Sequence, residues 1–308
     1  MRYFVQDTVR FLRDYKLFGS RHPAGHTVYF VMDPKMHHPG MVDRFKAIVC
    51  VNYIAKVNGF DFKIVRNSDF PIWEYLGDER QYADFLELSP YVGDSRLFSY
   101  NGGVKRVPRL CKSVSQYHVY NFIGLDFLQN CFQADEWKKV WRDSFNEVFK
   151  LLPKASALLE SVYCSFPAER TYVAVHLRFV NALEQFEEGY SNSLSQSEKD
   201  ALLALALRAL DVLKKRHADK TLVVFSDSNV FLKKAEEAGY EIPPKFGNLG
   251  HISFDPSALE KALIDFFLIS KSSKAYSVRG GKLYTSEFSK YAAIAGGADY
   301  ATENIDLL

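Results

Sequence analysis

A histidine and an arginine close the most strand-like stretch of this chain. Tyr172 to Arg178 reads Tyr-Val-Ala-Val-His-Leu-Arg. The run is β-branched and aromatic, without a breaker, and predicts a strand over Tyr172 to Val175 that meets His176 and Arg178. Residues two apart on an extended chain project to one side. In an open α/β sheet, ligands bind beyond the carboxyl ends of the strands. A guanidinium there offers a rigid fork of donors and a permanent charge, which suits a phosphate. Charged residues at a strand end are also ordinary surface features, and this stretch alone leaves both possibilities open.

Three other groups fall at expected strand ends or helix starts. Ser226-Asp227-Ser228 follows the apolar run Thr221 to Phe225. Asp227 there suits a ribose hydroxyl, and equally a local cap. Asp265 lies in Ala-Leu-Ile-Asp-Phe-Phe-Leu-Ile. A carboxylate in such a run needs a partner or a polar ligand, because burying it alone is costly. The N1–H and N2–H edge of guanine is one match; the exposed stripe of an amphipathic helix is the plain alternative. Ser286-Glu287-Phe288-Ser289 heads a helix. Its hydroxyl and free N–H groups suit a phosphate or an ordinary N-cap.

The elements that must position these groups alternate. Strands are predicted at Tyr172 to Val175, Thr221 to Phe225 and Lys274 to Val278, with a further short one near His251. Helices are predicted at Glu198 to Arg216, Asn229 to Glu237, Pro256 to Lys271 and Glu287 to Ala295. Ser195 and Glu198 form a capping box for the first of these. Strand and helix in alternation argue for a parallel sheet covered on both faces. The first half alternates less cleanly. An amphipathic helix is expected at Arg2 to Leu17, with Phe4, Val5, Val9 and Leu12 on its apolar side. His26 to Met32, Met41 to Asn58 and Phe60 to Val65 form one βαβ unit. Its loop holds Gly40 but no GxGxxG, and the helix start carries Asp43 and Arg44. Short helices are expected near Ile72 to Leu76 and Gln81 to Leu88, and strands at Leu97 to Tyr100 and Val114 to Phe122. Gln133 to Leu152 is a helix with a core-facing aromatic stripe. The expected fold class is α/β, two Rossmann-like domains facing a cleft, over residues 1–160 and 161–308. The tail from Ile305 is expected to pack on the first half.

Composition narrows the functions. The 308 residues carry 39 basic and 37 acidic side chains, a formal charge of +2. Non-specific nucleic-acid binding needs a stronger basic face. The four cysteines are widely spaced, without CxxC or zinc spacing. Cys50 and Cys164 are expected to be buried free thiols. No run is long and apolar enough for a membrane span, and Met1 to Arg13 lacks the pattern of a signal peptide.

Taken in order, His-x-Arg, Ser-Asp-x, an Asp in an apolar helix and Ser-x-Phe-Ser at a helix start resemble the donor half of the fucosyltransferase superfamily of GT-B fold. The resemblance covers Tyr172 to Ala295. His38-Pro39-Gly40-Met41-Val42-Asp43-Arg44 is similar to the family's first glycine-containing loop and helix, which implies Gly40, Asp43 and Arg44 on the acceptor side. The resemblance implies an inverting, metal-independent transfer of fucose from GDP-fucose, the donor substrate, to a glycan hydroxyl, with no cofactor. It implies a cytoplasmic place, peripheral to the membrane at most, and partners limited to a nucleotide sugar and a carbohydrate. Arg178 would hold the β-phosphate of GDP, where charge develops as the sugar leaves. His176 and Asp265 would approach guanine or ribose, Asp227 would join the donor site, and Ser286, Glu287 and Phe288 would contact the pyrophosphate. Such a transfer asks for a base to take the acceptor proton. Glu184 is the first candidate, with Glu187 and Asp43 behind it; no Asp-x-Asp is present for a metal. The sequence departs from the pattern twice. Val180 stands before Asn181 where bacterial members have glycine, and Phe179 replaces a second basic residue. Lys245, Lys274 and Arg279 are candidates to supply that charge. A GT-B enzyme using another nucleotide sugar, and a non-catalytic nucleotide- or glycan-binding relative, stay open as alternatives.

Overall fold

The computed structural model describes residues 9–32, 40–66, 70–98, 105–120, 126–164, 166–184, 194–244 and 256–307. The chain divides into two compact units, Met1–Lys154 and Ala155–Leu308. Each is built on its own sheet, and every strand pair is parallel. The expected α/β class is the observed one.

In the first unit, β1 (Thr27–Val31) is central and pairs with β2 (Asp61–Val65) and β5 (Gln116–Tyr120). β3 (Tyr82–Ala83) and β4 (Ser95–Leu97) complete the order β3-β2-β1-β5-β4. The expected βαβ crossover is α1 (Met41–Val57), which Gly59 ends at φ +64. Few side chains bear that left-handed backbone, so glycine suits the stop. A short α2 (Phe127–Cys131), which the sequence does not announce, leads into α3 (Glu136–Val148). The aromatic stripe of α3 is core, as expected. Trp141 stacks on Phe145 at 5.0 Å between ring centroids, and Phe145 meets Phe45 of α1 edge-on at 5.5 Å.

In the second unit, β6 (Tyr172–Leu177) lies between β7 (Thr221–Ser226) and β8 (Lys274–Arg279), and β9 (Asp299–Asn304) is added beside β8. α4 (Pro153–Tyr163) precedes β6. α5 (Gln196–Arg216) and α6 (Asn229–Glu237) cover one face, where Val173, Val175 and Leu177 join their core. Alternation sends Tyr172, Ala174 and His176 to the opposite face, toward α7 (Pro256–Ser270) and α8 (Phe288–Gly296). α7 and α8 approach so closely that a Cβ on Gly296 would lie 1.8 Å from the Ser270 carbonyl oxygen, so only glycine fits there. Ser195 and Glu198 make the expected capping box at the start of α5.

Several expectations are corrected. In the helical stretch at residues 9–14, Val9 and Leu12 face solvent at 57% and 75% exposure, while Arg10 is buried. The Arg10 guanidinium lies 3.9 Å from the Tyr120 ring centroid, and a desolvated cation over an aromatic face displaces the aliphatic side from the interior. Phe4 and Val5 lie outside the described residues. Gln81 to Leu88 is not one helix. Capping boxes at Asp78/Gln81 and Asp84/Glu87 each close a single 3₁₀ turn, Glu79–Gln81 and Phe85–Glu87, and β3 runs between them. The tail folds onto the second unit rather than the first: Ile305 is buried in the core beside α5 and β8. Cys164 is exposed, whereas Cys50 is buried as expected. The strand expected near His251 lies outside the described residues. Among the described residues, no helix is long and apolar enough to cross a membrane.

Candidate functional site

The site is built at the carboxyl end of β6, in the second unit. The strand runs one turn of the pleat further than its sequence suggests, so His176 belongs to it and pairs with Phe225 and Ser277 on either side. Only Arg178 of the pair lies beyond the strand. His176 is 6% exposed. Its ring stacks on Phe288 of α8 at 5.3 Å and 24°, and Phe288 in turn meets Phe266 of α7 edge-on. Burial, with the Arg178 and Lys261 charges nearby, pushes the imidazole down to about 3, so the ring is neutral. Its buried Nδ1 has no hydrogen-bond partner among the described residues.

Arg178 is set by the turn that follows it. Its carbonyl accepts from the Tyr284 N–H at 2.8 Å, and its guanidinium carbon lies 5.6 Å from the Tyr284 ring centroid. Nε stands 3.8 Å from Asp227 Oδ2, and the side chain is 30% exposed. Asp227 is placed by the same turn. Its Oδ1 accepts from the Phe179 N–H at 2.8 Å and its Oδ2 from the Val180 N–H at 2.9 Å. Both oxygens are therefore engaged by backbone at the corner that aims Arg178. Burial raises the Asp227 carboxyl, against the lowering pull of Arg178 and these N–H groups. Val180 sits at φ +53. That is the left-handed region, where glycine is at ease and a β-branched residue is an outlier.

Asp265 is buried, not on an exposed stripe. Lys261, one helical turn earlier, donates to its Oδ2, and both side chains are 10% exposed. Oδ1 is shut from water with no partner among the described residues. Burial raises this carboxyl, and the Lys261 ammonium opposes the rise. At the start of α8, Ser286 is 7% exposed and its Oγ accepts from the Phe288 N–H at 3.2 Å. Hydrogen bonding begins α8 at Phe288, so the N-cap position is Glu287, and Ser286, the expected cap, stands one residue ahead of it. Glu287 pairs with Lys290 at 2.9 Å. Ser289 is fully buried, and its Oγ has no partner among the described residues.

The structure thus brings Arg178 to Asp227 and His176 to Phe288, with the charges of Arg178 and of Lys261, the partner of Asp265, acting on the His176 ring. Glu184 has a separate task. Its Oε1 accepts from the Asn229 N–H at 2.5 Å and the Val230 N–H at 3.4 Å, capping α6 together with Ser228. A carboxylate at a helix N-terminus is favourably placed against the dipole. Glu187 and Lys245 lie outside the described residues. Lys274 begins β8, at the opposite end of the strand from the site, while Arg279 ends it and donates to the Tyr300 hydroxyl at 3.2 Å.

In the first unit, Gly40 precedes α1 and is exposed. Asp43 pairs with Lys46 at 2.6 Å. Arg44 is buried with its guanidinium 4.4 Å from the Phe70 ring centroid. Tyr75 and Tyr82, from the aromatic stretch after residue 72, are core.

Sequence reasoning passed over Lys261 and Tyr284. Lys261 had a usable signal: it lies four residues before Asp265 in the same apolar helix, the spacing that puts two side chains on one face. Tyr284 had none, because its place depends on the Arg178 carbonyl.

No family model and no curated protein sequence matches the chain. Solved structures do. NodZ α-1,6-fucosyltransferase soaked with GDP-fucose superposes with a TM-score of 0.56 at 13% identity, over 88% of this chain and 92% of that one. The selenomethionine form of fucosyltransferase NodZ from Bradyrhizobium gives 0.56 at 15% identity, with the same coverage of 88% and 92%. A mutant of Arabidopsis thaliana FUT1 in complex with GDP gives 0.55 at 11% identity, over 97% of this chain and 74% of that one. The chain has the GT-B fold of these fucosyltransferases.

Proposed function

We propose that the chain is an inverting glycosyltransferase that moves fucose from GDP-fucose to a glycan hydroxyl without a metal. The bond from the sugar C1 to the β-phosphate oxygen breaks, and its electron pair leaves with GDP. A bond from C1 to the acceptor oxygen forms on the opposite face, and the acceptor proton passes to a base. The observation that carries the proposal is the placing of Arg178 at the end of β6, on a corner fixed by Asp227, in the same unit as two buried polar atoms, His176 Nδ1 and Asp265 Oδ1, that have no partner among the described residues. Unpartnered buried polar atoms cost stability, and their gathering at a strand end fits a site completed by ligand. The fold shared with a crystal soaked in GDP-fucose supports the choice of ligand.

In this reading the Arg178 guanidinium meets the charge that develops on the departing diphosphate. Asp265 accepts from the guanine edge, His176 lies against base or ribose, and the Ser286–Phe288 helix start faces the pyrophosphate. Phe288 also holds the His176 ring in place. Glu184 is engaged by α6, so it is not assigned the acceptor proton. Gly40, Asp43 and Arg44 are proposed on the acceptor side, by the resemblance alone.

The test is a thermal-shift series followed by a transfer assay. GDP at a hundred times its Kd is expected to stabilise the protein by about 2.7 kcal/mol, while UDP, ADP and S-adenosylmethionine leave the melting temperature unchanged. Arg178→Ala is expected to lower turnover by about 10³-fold with its melting temperature near wild type, and a chelator is expected to have no effect on transfer. Stabilisation by UDP in preference to GDP would end the fucosyl assignment.

A further inference from the structure

Lys261 and Asp265 form a buried pair whose hydrogen bonding is half used. The ammonium has three N–H donors, and one of them goes to Asp265 Oδ2. Asp265 Oδ1 has no partner among the described residues and is closed off from water. The two side chains share one face of α7, each 10% exposed, in a stretch that is otherwise apolar. The pair therefore presents, side by side, a cationic donor with N–H groups to spare and a carboxylate oxygen that nothing among the described residues meets. It stands near His176, whose imidazole senses the Lys261 charge.

We propose that Lys261 and Asp265 together read a cis-lactam edge, a carbonyl oxygen beside a ring N–H, on the base of the bound nucleotide. The proposal rests on the reading above that a nucleotide occupies this site, and it adds Lys261 as a residue that sets base specificity. In guanine, O6 faces the ammonium while N1–H and the 2-amino group face the carboxylate. Adenine reverses the pattern. Its 6-amino donor meets the ammonium and its bare N1 lone pair meets the carboxylate, so both contacts become repulsive, and the spare ammonium donors and Asp265 Oδ1 gain no partner from the base. A site built this way rejects the wrong edge strongly, because its own polar groups are left without partners.

Binding of GDP, IDP, ADP and the diphosphate of 2,6-diaminopurine riboside, measured by calorimetry, tests this. The diaminopurine keeps the 2-amino group of guanine and reverses only the lactam. Wild type is expected to bind GDP, to bind IDP within about tenfold of GDP, and to bind ADP and the diaminopurine at least about a hundredfold more weakly. Lys261→Met is expected to weaken GDP by about tenfold or more and to bring the GDP-to-diaminopurine ratio toward one. That variant leaves a buried carboxylate without its counter-ion, so Lys261→Met/Asp265→Asn is measured beside it. The doubly substituted chain carries no orphan charge, and its amide accepts either edge; it is expected to bind GDP and ADP alike. A folded variant of either kind that keeps the wild-type ratio overturns the role of Lys261 and leaves the donor site standing. A wild-type protein that binds none of the four overturns both.

Discussion

The two units each bury a histidine on an inner strand, and the two are treated oppositely. His118 on β5 and His176 on β6 are 2% and 6% exposed. Burial pushes the first down to about 4 and the second to about 3, so both are neutral rings. His118 is fully engaged. Its Nδ1 lies 2.6 Å from the Tyr15 hydroxyl and its Nε2 3.0 Å from Gln116 Oε1. Gln116 also accepts from the Ser89 N–H, and Ser89 Oγ donates to Asp94. This network ties the N-terminal segment to the sheet. His176 has a stacked phenylalanine and an Nδ1 without a partner among the described residues. The same residue type, at the same depth, is structural where its polar atoms are satisfied and a candidate ligand contact where they are not.

Leucine at each position separates the two roles, and this is the largest effect expected. His118→Leu removes the hydrogen bonds to the Tyr15 hydroxyl and to Gln116 Oε1 and is expected to cost about 2–3 kcal/mol, read as a lower midpoint in urea, with GDP binding unchanged. His176→Leu loses no hydrogen bond to a described residue and is expected to stay within about 1 kcal/mol of wild type in stability. Its loss appears instead as a weaker GDP affinity, by about tenfold. If His176→Leu unfolds the protein as badly as His118→Leu, the distinction between the two rings is wrong.

Acid tests the property they share. In the unfolded chain both imidazoles take up a proton below about pH 6.5. The folded chain keeps them neutral until about 4 and about 3. Over that window the unfolded state binds more protons, so stability falls as pH falls, by about 1.4 kcal/mol per pH unit for each ring. Either leucine variant is therefore expected to show a shallower decline between pH 6 and pH 4.5 than wild type, by about that share. A variant whose decline matches wild type would mean that its histidine is charged or exposed in the folded protein.

The difference between the units also explains what was legible in the sequence. β6 is buried along its whole length, so it needs unbroken apolar residues and stands out. β9, Asp-Tyr-Ala-Thr-Glu-Asn, lies at the sheet edge with none of its residues buried, and only its pairing with β8 marks it as a strand. The first unit was harder because the connections on either side of β3 hold single 3₁₀ turns closed by local caps, which carry no helical period. In the site, Arg178 and Asp265 were visible as charges in apolar runs. The work of Asp227 and Glu184 was not, because each serves backbone N–H groups on a segment distant in sequence.

Val180 gives the smallest expected effect and the finest test of the corner that aims Arg178. Its left-handed backbone costs a β-branched residue about 1–2 kcal/mol. Glycine removes that strain. Against this, Val180 is 4% exposed, and losing its buried side chain costs about 1.5–3 kcal/mol, with up to about 1 kcal/mol more from the freer unfolded chain. The cost exceeds the relief, and Val180→Gly is expected to lose about 1–2 kcal/mol of stability. Turnover is expected to change by less than about threefold, because the Phe179 and Val180 N–H groups still reach Asp227 and the corner keeps its shape. Neutrality in stability with a large fall in turnover would mean that the valine side chain itself, and not the Asp227 carboxylate, fixes the guanidinium. Measuring kcat and the melting temperature on one preparation decides between the two, since packing and strain act on stability while a displaced guanidinium acts on the transfer step.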